Sequence, residues 1–312
     1  MSKPTVAVLM STYNGEKYLK EQIDSILQQE DVDLQLFIRD DGSSDSTLSI
    51  ITSYCKIFPN IKLISDSGNL GPGLSFWTLL KHVVKEFVSF DYYSFADQDD
   101  IWLKDKLIFA INSICNSGFY GSILYSSNQY LYVDGKNIGL RHYNSQSVDL
   151  IPHMTKNTIA GCTFLFNRAL AKIAVEGKDF NTKLLKYRLH DAWLFLVAIV
   201  CGHAIYDNTA HMLYRIHSGN VVGVRKFSFL NKLQRMLNLF NGKTSNIRLL
   251  TAKELLFLYP NMHEECRRIL NLYANYNKNL RSKKKFLKNK DIIDNCQENR
   301  VIFVIKILLN LI

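Results

Sequence analysis

Three carboxylates within four residues, Asp97, Asp99 and Asp100, close the stretch Tyr92–Trp102, YYSFADQDDIW. The residues ahead of them are apolar and β-prone, and those from Lys104 onward read as a helix. In extended backbone, positions i and i+2 share a face, so Asp97 and Asp99 point the same way. Two carboxylates about 4 Å apart repel by roughly 1 kcal/mol in water and about 4 kcal/mol at the intermediate dielectric of a cleft. A cation turns that repulsion into attraction. Mg²⁺ and Mn²⁺ take oxygen ligands, and Mg²⁺ uses one or two carboxylates together with substrate phosphates. The spacing therefore predicts a metal–diphosphate site. The competing reading is an acidic, solvated N-cap ahead of a helix, a position Asp favours.

A second candidate group is Leu189-His190-Asp191-Ala192-Trp193, just ahead of an apolar run to Val200. Asp191 is the sole acid between Asp179 and Asp207. It stands at a predicted helix start, where the helix dipole lowers a carboxyl pKa and keeps the group ionised. A carboxylate there suits a general base, with His190 as runner-up; a simple N-cap is the bland alternative. His217, at the end of a predicted strand, is the further candidate metal ligand.

The elements that must position these groups follow a regular rhythm. Thr5–Met10, Leu34–Arg39, Ile61–Ser65 and the run into Asp97 read as strands. Between them, apolar residues at helical spacing mark helices through Ile23, Ile51 and Leu80. Such alternation predicts a doubly wound, mostly parallel sheet with helices on both faces. Ligands of such sheets bind outside the carboxyl ends of the strands. Those ends carry Ser11–Asn14, Asp40-Asp41, Asn69–Gly71 and Asp97–Asp100, so four polar clusters should converge on one crevice. Neither G-x-G-x-x-G after the first strand nor G-x-x-x-x-G-K-[ST] occurs, which leaves a metal to neutralise any bound phosphates.

Beyond the fourth strand the rhythm changes. Ile123–Tyr125 and Tyr130–Val133 read as two short strands, with a turn at Asp134–Asn137. Residues 144–157 read as a long polar loop. Ile159–Phe166 reads as a buried strand, Arg168–Val175 and Trp193–Val200 as helices, and Ala204–Asp207 and Leu213–His217 as strands.

Of the 312 residues, 47% are hydrophobic, which suffices for a substantial core, and the formal charge is +10. Residues 226–312 hold 17 Lys and Arg against 6 Asp and Glu, whereas residues 1–225 hold 21 against 22. A nucleic-acid groove would draw on the body as well, so the basic tail points instead to an anionic surface. Its features are a stripe through Phe229, Leu230, Leu233, Met236, Leu237 and Phe240, a cluster from Arg281 to Lys290, and the apolar end Val301–Ile312. The last is too short to span a bilayer but suits lying in its interface. Packing on the body or on a partner subunit is the alternative, so a homo-oligomer stays open. The start, Met1-Ser2-Lys3-Pro4, shows no signal-peptide pattern, and six scattered cysteines without a C-x-x-C pair suit a reducing compartment.

STYNG, RDDGSSD, GNLGPG and FADQDDIW together resemble family 2 glycosyltransferases of the GT-A fold. AGCTFLFN, LHDAW and YRIHSGNVVG resemble the later motifs of a bacterial, rhamnosyltransferase-like subset that acts in polysaccharide assembly. The match runs in order from about Thr5 to Arg225. The resemblance implies an inverting transfer of a sugar from a nucleotide diphosphate donor, dTDP-rhamnose first and a UDP-hexose second, to a glycan or lipid-linked glycan. It places Ser11, Tyr13 and Asp41 on the nucleoside, with Asn69 beside them at the sheet edge. Asp97 and Asp99 become the D-x-D pair on ribose and Mg²⁺ or Mn²⁺, and Asp191 the base. His190, Trp193 and Trp102 fall to the acceptor side. The subset usually carries an aromatic residue where this chain has Ala192. The expected organisation is a GT-A domain over 1–225 and a basic helical extension over 226–312, cytoplasmic and peripheral at the inner membrane face. A sugar nucleotidyltransferase would carry a Gly-rich, Arg/Lys-bearing loop in place of Ser11–Glu16. A catalytically inactive GT-A-fold binding protein is the remaining alternative.

Overall fold

The computed structural model describes residues 2–64, 68–87, 90–176, 182–217 and 246–312. Its centre is the strand Thr5–Thr12 (β1), whose side chains are buried on both faces. Val6, Val8 and Met10 enter one apolar cluster, while Ala7 and Leu9 enter another. Leu19–Leu27 (α1), Asp33–Asp40 (β2), Thr47–Ile57 (α2), Ile61–Leu63 (β3), Pro72–Glu86 (α3) and Tyr92–Ala96 (β4) follow as the periodicity predicts. The order β3-β2-β1-β4 is parallel throughout, with Val6 opposite both Leu34 and Tyr92. Apolar residues of α1 and α2 cover one face, and those of α3 the other.

The second half comprises Ile101–Trp102 (β5), Lys106–Asn116 (α4), Ile123–Val133 (β6), Lys136–Leu140 (β7), Leu150–Thr155 (α5), Leu165–Asn167 (β8), Arg168–Val175 (α6), Leu185–Cys201 (α7) and His203–Arg215 (β9). It extends the sheet from β4 in the order β8-β6-β9-β5, with β7 on β6. The pairs are antiparallel except β6 with β9.

Several sequence expectations need correction here. The two short strands predicted around Tyr125 and Tyr132 are one continuous strand. Its polar middle survives because each side chain finds a partner: Ser126 donates to the Ile205 carbonyl and Asn128 to that of His142, while Gln129 accepts from Arg141. Likewise, the pieces predicted around Tyr206 and Tyr214 form the single strand β9. The polar loop 144–157 contains α5, which turns Leu150, Ile151 and Met154 into the core. The run Ile159–Phe166 breaks into a 3₁₀ turn at Gly161–Thr163 before β8, and Thr163 Oγ1 donates back to the Ala160 carbonyl. The helix expected at Trp193 starts earlier, at Leu185, and is interrupted at Leu189.

Five helices close the chain: Ile247–Leu258 (α8), Glu264–Asn275 (α9), Leu280–Leu287 (α10), Lys290–Asn295 (α11) and Arg300–Leu308 (α12). They do not hang off the body. Leu249, Leu255, Leu270, Tyr273, Phe286, Phe303 and Ile307 share one buried cluster with Trp193 and Phe195 of α7 and with Leu79 of α3. The stripe Phe229–Phe240 and the expected boundary at 225/226 lie outside the described residues. Among those described, no helix is long and apolar enough to cross a membrane.

Gly73 lets α3 and α7 approach closely, since a Cβ there would lie 2.5 Å from the Leu185 carbonyl oxygen and 3.3 Å from the Leu189 Cα. Both obstacles are backbone, so one of the helices must move. Gly73→Ala is expected to lower stability by about 1–3 kcal/mol, the usual range for overpacking, and to impair any chemistry that α7 positions. Thermal unfolding alongside an activity assay checks this; unchanged values for both would refute it.

Candidate active site

The carboxyl ends of β1, β2 and β4 open into one cavity of about 710 Å³. Ser11, Tyr13, Asp41, Asn69, Asp97 and Asp99 all line it. The convergence expected of the four polar clusters is therefore present, and the size suits a nucleotide-sized ligand.

The loops carrying these groups are tied to each other. Gln98 Nε2 donates to the Tyr13 carbonyl, while the Tyr13 N–H donates to Gln98 Oε1. Gly15 leaves room for that bridge, because a Cβ there would sit 2.3 Å from Gln98 Oε1. Asp41 is buried, and its two oxygens accept the backbone N–H groups of Leu70 and Gly71, each at 2.8 Å. The wholly buried Arg39 neutralises it and also donates to Ser75 Oγ, which bonds Ser11 Oγ. Asp41 thus fixes the loop bearing Asn69 while presenting itself to the cavity.

The strand alternation expected of the acidic stretch does not hold, because residues 97–100 bend after β4 ends at Ala96 and Gln98 lines the cavity along with its neighbours. Asp97 and Asp99 line the cavity, whereas Asp100 turns into the protein and accepts the Arg215 N–H. The Asp97 carboxyl is pushed up to about 7 by burial first, then by the charges of Asp99 and Asp191. Asp99 Oδ2 lies 2.8 Å from His217 Nε2, so the strand end predicted to supply a ligand does reach the acids. The carboxylates supply the hard oxygen donors that fit Mg²⁺ or Mn²⁺, with the borderline imidazole of His217 beside them. Among the described residues, the group of three whose ligand atoms all lie within 4.8 Å of one another is a different one, Asp97, Asp100 and Cys162. That group is the poorer candidate, because Asp100 and Cys162 are buried away from the cavity and a thiol is a soft donor.

Asp191, supplied by α7, lines the same cavity. Leu189, at φ 54° and ψ 170°, breaks α7 just before it. A leucine in that region costs about 1–3 kcal/mol, and the break redirects the chain so that His190 and Asp191 line the cavity. Asp191 accepts the backbone N–H groups of Ala192 at 2.7 Å and Gly161 at 3.2 Å. Gly161 is required by that contact, since a Cβ would meet Asp191 Cβ at 2.7 Å. The expectation that the helix start lowers this pKa is corrected. Burial raises it to about 6, outweighing the N–H groups of Ala192 and Gly161. His190 is stacked on Phe76 at 4.0 Å, and burial pulls its pKa down to about 3. The imidazole is neutral and a weak proton acceptor.

Two predicted acceptor residues do not reach the cavity. Trp193 is fully buried in the core cluster, and Trp102 lies in β5 under the ammonium of Lys106, 3.8 Å from its ring centroid. Their apolar surfaces are consumed by packing. Conversely, sequence reasoning missed Arg141, at the end of β7. It lines the cavity, donates to Gln129 Oε1 and faces the Tyr214 ring. Its charge favours the ionised forms of both Asp97 and Asp191. No motif marks it; only the β6–β7 hairpin brings it in.

Comparison with known proteins gives this geometry its family. The family model for glycosyl transferase family 2 matches residues 7–173, more than half of the sequence. The chain belongs to glycosyl transferase family 2. It is 35% identical over 234 residues to the dTDP-rhamnosyl transferase RfbG of Shigella flexneri, covering 73% of this chain and 78% of that one. Among solved structures, S. aureus TarS 1–349 in complex with UDP superimposes with a TM-score of 0.61 at 17% identity, over 98% of this glycosyltransferase and 87% of that TarS fragment. The mannosyltransferase PcManGT of Pyrobaculum calidifontis, in complex with GDP-Man and Mn²⁺, has a TM-score of 0.50 at 14% identity, again over 98% and 87%. These likenesses establish the GT-A fold.

Proposed function

We propose that this glycosyltransferase moves a sugar, with inversion, from a pyrimidine nucleotide diphosphate to a hydroxyl of a cell-surface polysaccharide or its lipid-linked precursor. dTDP-rhamnose is the first donor and a UDP-hexose the second. The observation that carries the reading is that Asp191, a carboxylate supplied by α7, lines the same cavity as the Asp97/Asp99 pair. The similarity to a dTDP-rhamnosyl transferase supports the donor class.

In the reaction the acceptor hydroxyl attacks the anomeric carbon from the face opposite the diphosphate. The new C–O bond forms as the bond to phosphate breaks, and the electron pair leaves with the diphosphate. The hydroxyl proton passes to Asp191, whose raised pKa makes it a better base than an exposed aspartate. Asp97 and Asp99, with His217 behind Asp99, would hold a divalent ion, which supplies positive charge for the departing diphosphate. Ser11, Tyr13, Asp41 and Asn69 border the nucleoside end, and His190 keeps its neutral ring on the acceptor side. No covalent nucleophile is needed.

The division at 225/226 is one of role. The body carries the donor chemistry and the helical extension meets the acceptor and the bilayer. Val301, Ile302, Ile305, Leu308 and Leu309 are exposed on and after α12, while Phe303 and Ile307 face inward. The basic residues of α10 flank that apolar strip, with Lys283 Nζ donating to the Leu308 carbonyl at 2.8 Å. An amphipathic surface of this composition suits the inner face of an anionic membrane.

Base catalysis requires ionised Asp191, so turnover should be full above the raised pKa of about 6 and fall as pH drops through it. Asp191→Asn should lose about 10²- to 10⁴-fold in rate together with that acidic limb, while binding donor normally. If Asp191→Asn keeps near wild-type transfer and His190→Ala does not, the histidine is the base. Separately, Asp99→Asn or chelation should weaken binding of dTDP- or UDP-sugars, read by calorimetry with and without Mn²⁺. Full turnover in chelator, or turnover of a GDP-sugar alone, would contradict the donor and metal assignment. For the membrane face, Ile302→Asp with Ile305→Asp should reduce binding to phosphatidylglycerol vesicles without changing donor hydrolysis. Equal vesicle binding by the variant would remove the membrane role.

A further inference from the structure

The helical extension does more than cover the body, because Arg248 of α8 and Lys306 of α12 line the same cavity as Asp191. So do Arg188 of α7 and the exposed Lys156. Their balancing charge is small. Arg248 and Lys306 converge on a single carboxylate, Glu298, with Lys306 Nζ 2.9 Å from Oε1. Arg188 spends its donors on the carbonyls of His153 and Met154 and on Thr251 Oγ1, none of which carries a negative charge. Arg188 and Arg248 are each only 9% exposed. Burial, and the neighbouring Arg248, pull the Arg188 guanidinium down to about 10, the mark of cations crowded where water screens poorly.

We infer that Arg248 and Lys306, backed by Arg188, form an anion subsite for the diphosphate of a lipid-linked acceptor. Guanidinium and ammonium groups gathered in the lining of one cavity are a phosphate-recognising set. These cations are not the donor's, whose diphosphate belongs beside Asp97 and Asp99. The helix that supplies Lys306 also exposes Val301, Ile302 and Ile305, so a lipid chain leaving the subsite meets apolar surface at once. An acceptor hydroxyl beyond the diphosphate would then extend along the cavity toward Asp191. The inference rests on the sugar-transfer reading given above.

The test uses the full chain and two probes, inorganic pyrophosphate and geranylgeranyl diphosphate in detergent, with dTDP plus Mn²⁺ as the donor-side control. Lys306→Glu should weaken both probes at least tenfold and leave dTDP binding unchanged. Lys306→Gln, which leaves the Arg248–Glu298 pair in place, should show a smaller loss in the same direction. Unchanged probe affinity in both variants overturns the subsite. Equal loss of probes and dTDP overturns it too, since the cations would then belong to the donor. Phosphatidylglycerol vesicles separate the two phosphate sources. If they displace pyrophosphate with the same dependence on Lys306, the subsite reads bilayer headgroups and the acceptor assignment fails. Wild type that binds the probes through Lys306 yet neither binds dTDP nor turns over a nucleotide sugar would instead sink the sugar-transfer reading and leave an anion site standing.

Discussion

Mutual repulsion among Asp97, Asp99 and Asp191 is the constraint on which the site depends. Three acids facing one partly closed cavity resist being brought together; the raised pKa of Asp97 registers the loss of water and then that repulsion, while that of Asp191 registers the loss of water. The fold overcomes it with rigid supports. β4 is hydrogen-bonded between β1 and β8, so Asp97 cannot withdraw. Asp191 is held by two backbone N–H groups and by the kink of α7 at Leu189. Arg141 adds the compensating charge without closing the space between them.

The first half of this architecture was legible because its signals are local. Strand and helix periods are short, turn residues punctuate them, and parallel order follows from alternation. The acidic pair was readable as a cluster because its residues are close in sequence, although they sit in the bend after β4 and not on a strand, so the shared-face argument did not place them. The second half resisted because its determinants are remote. The polar middle of β6 looks like a loop until Ile205 and His142 supply carbonyls from elsewhere. Trp102 and Trp193 sit next to chemistry in sequence but face away from it in space. The Asp191 pKa went the other way for a related reason: a dipole argument sees one helix end, while burial is a property of the whole cavity wall.

The proposed metal site and the proposed base have different needs in this arrangement. Asp97 and Asp99 profit from crowding, because a cation relieves it. Asp191, the proposed base, profits from burial, because a carboxylate poorly solvated by water holds a proton more readily. Separate elements lining one cavity allow both environments at once.

The shared core of α7 and the closing helices limits how such enzymes can be recombined. Leu249, Leu255, Phe286 and Phe303 would lose their apolar neighbours if the extension were grafted onto another body, and α7 would be left with an uncovered greasy face. A chimera joined near residue 225 would therefore inherit two mismatched half-cores, however well the donor pocket was preserved. Exchange of acceptor preference between relatives is better sought in the few side chains that face the cavity, with the packed seam behind them left intact.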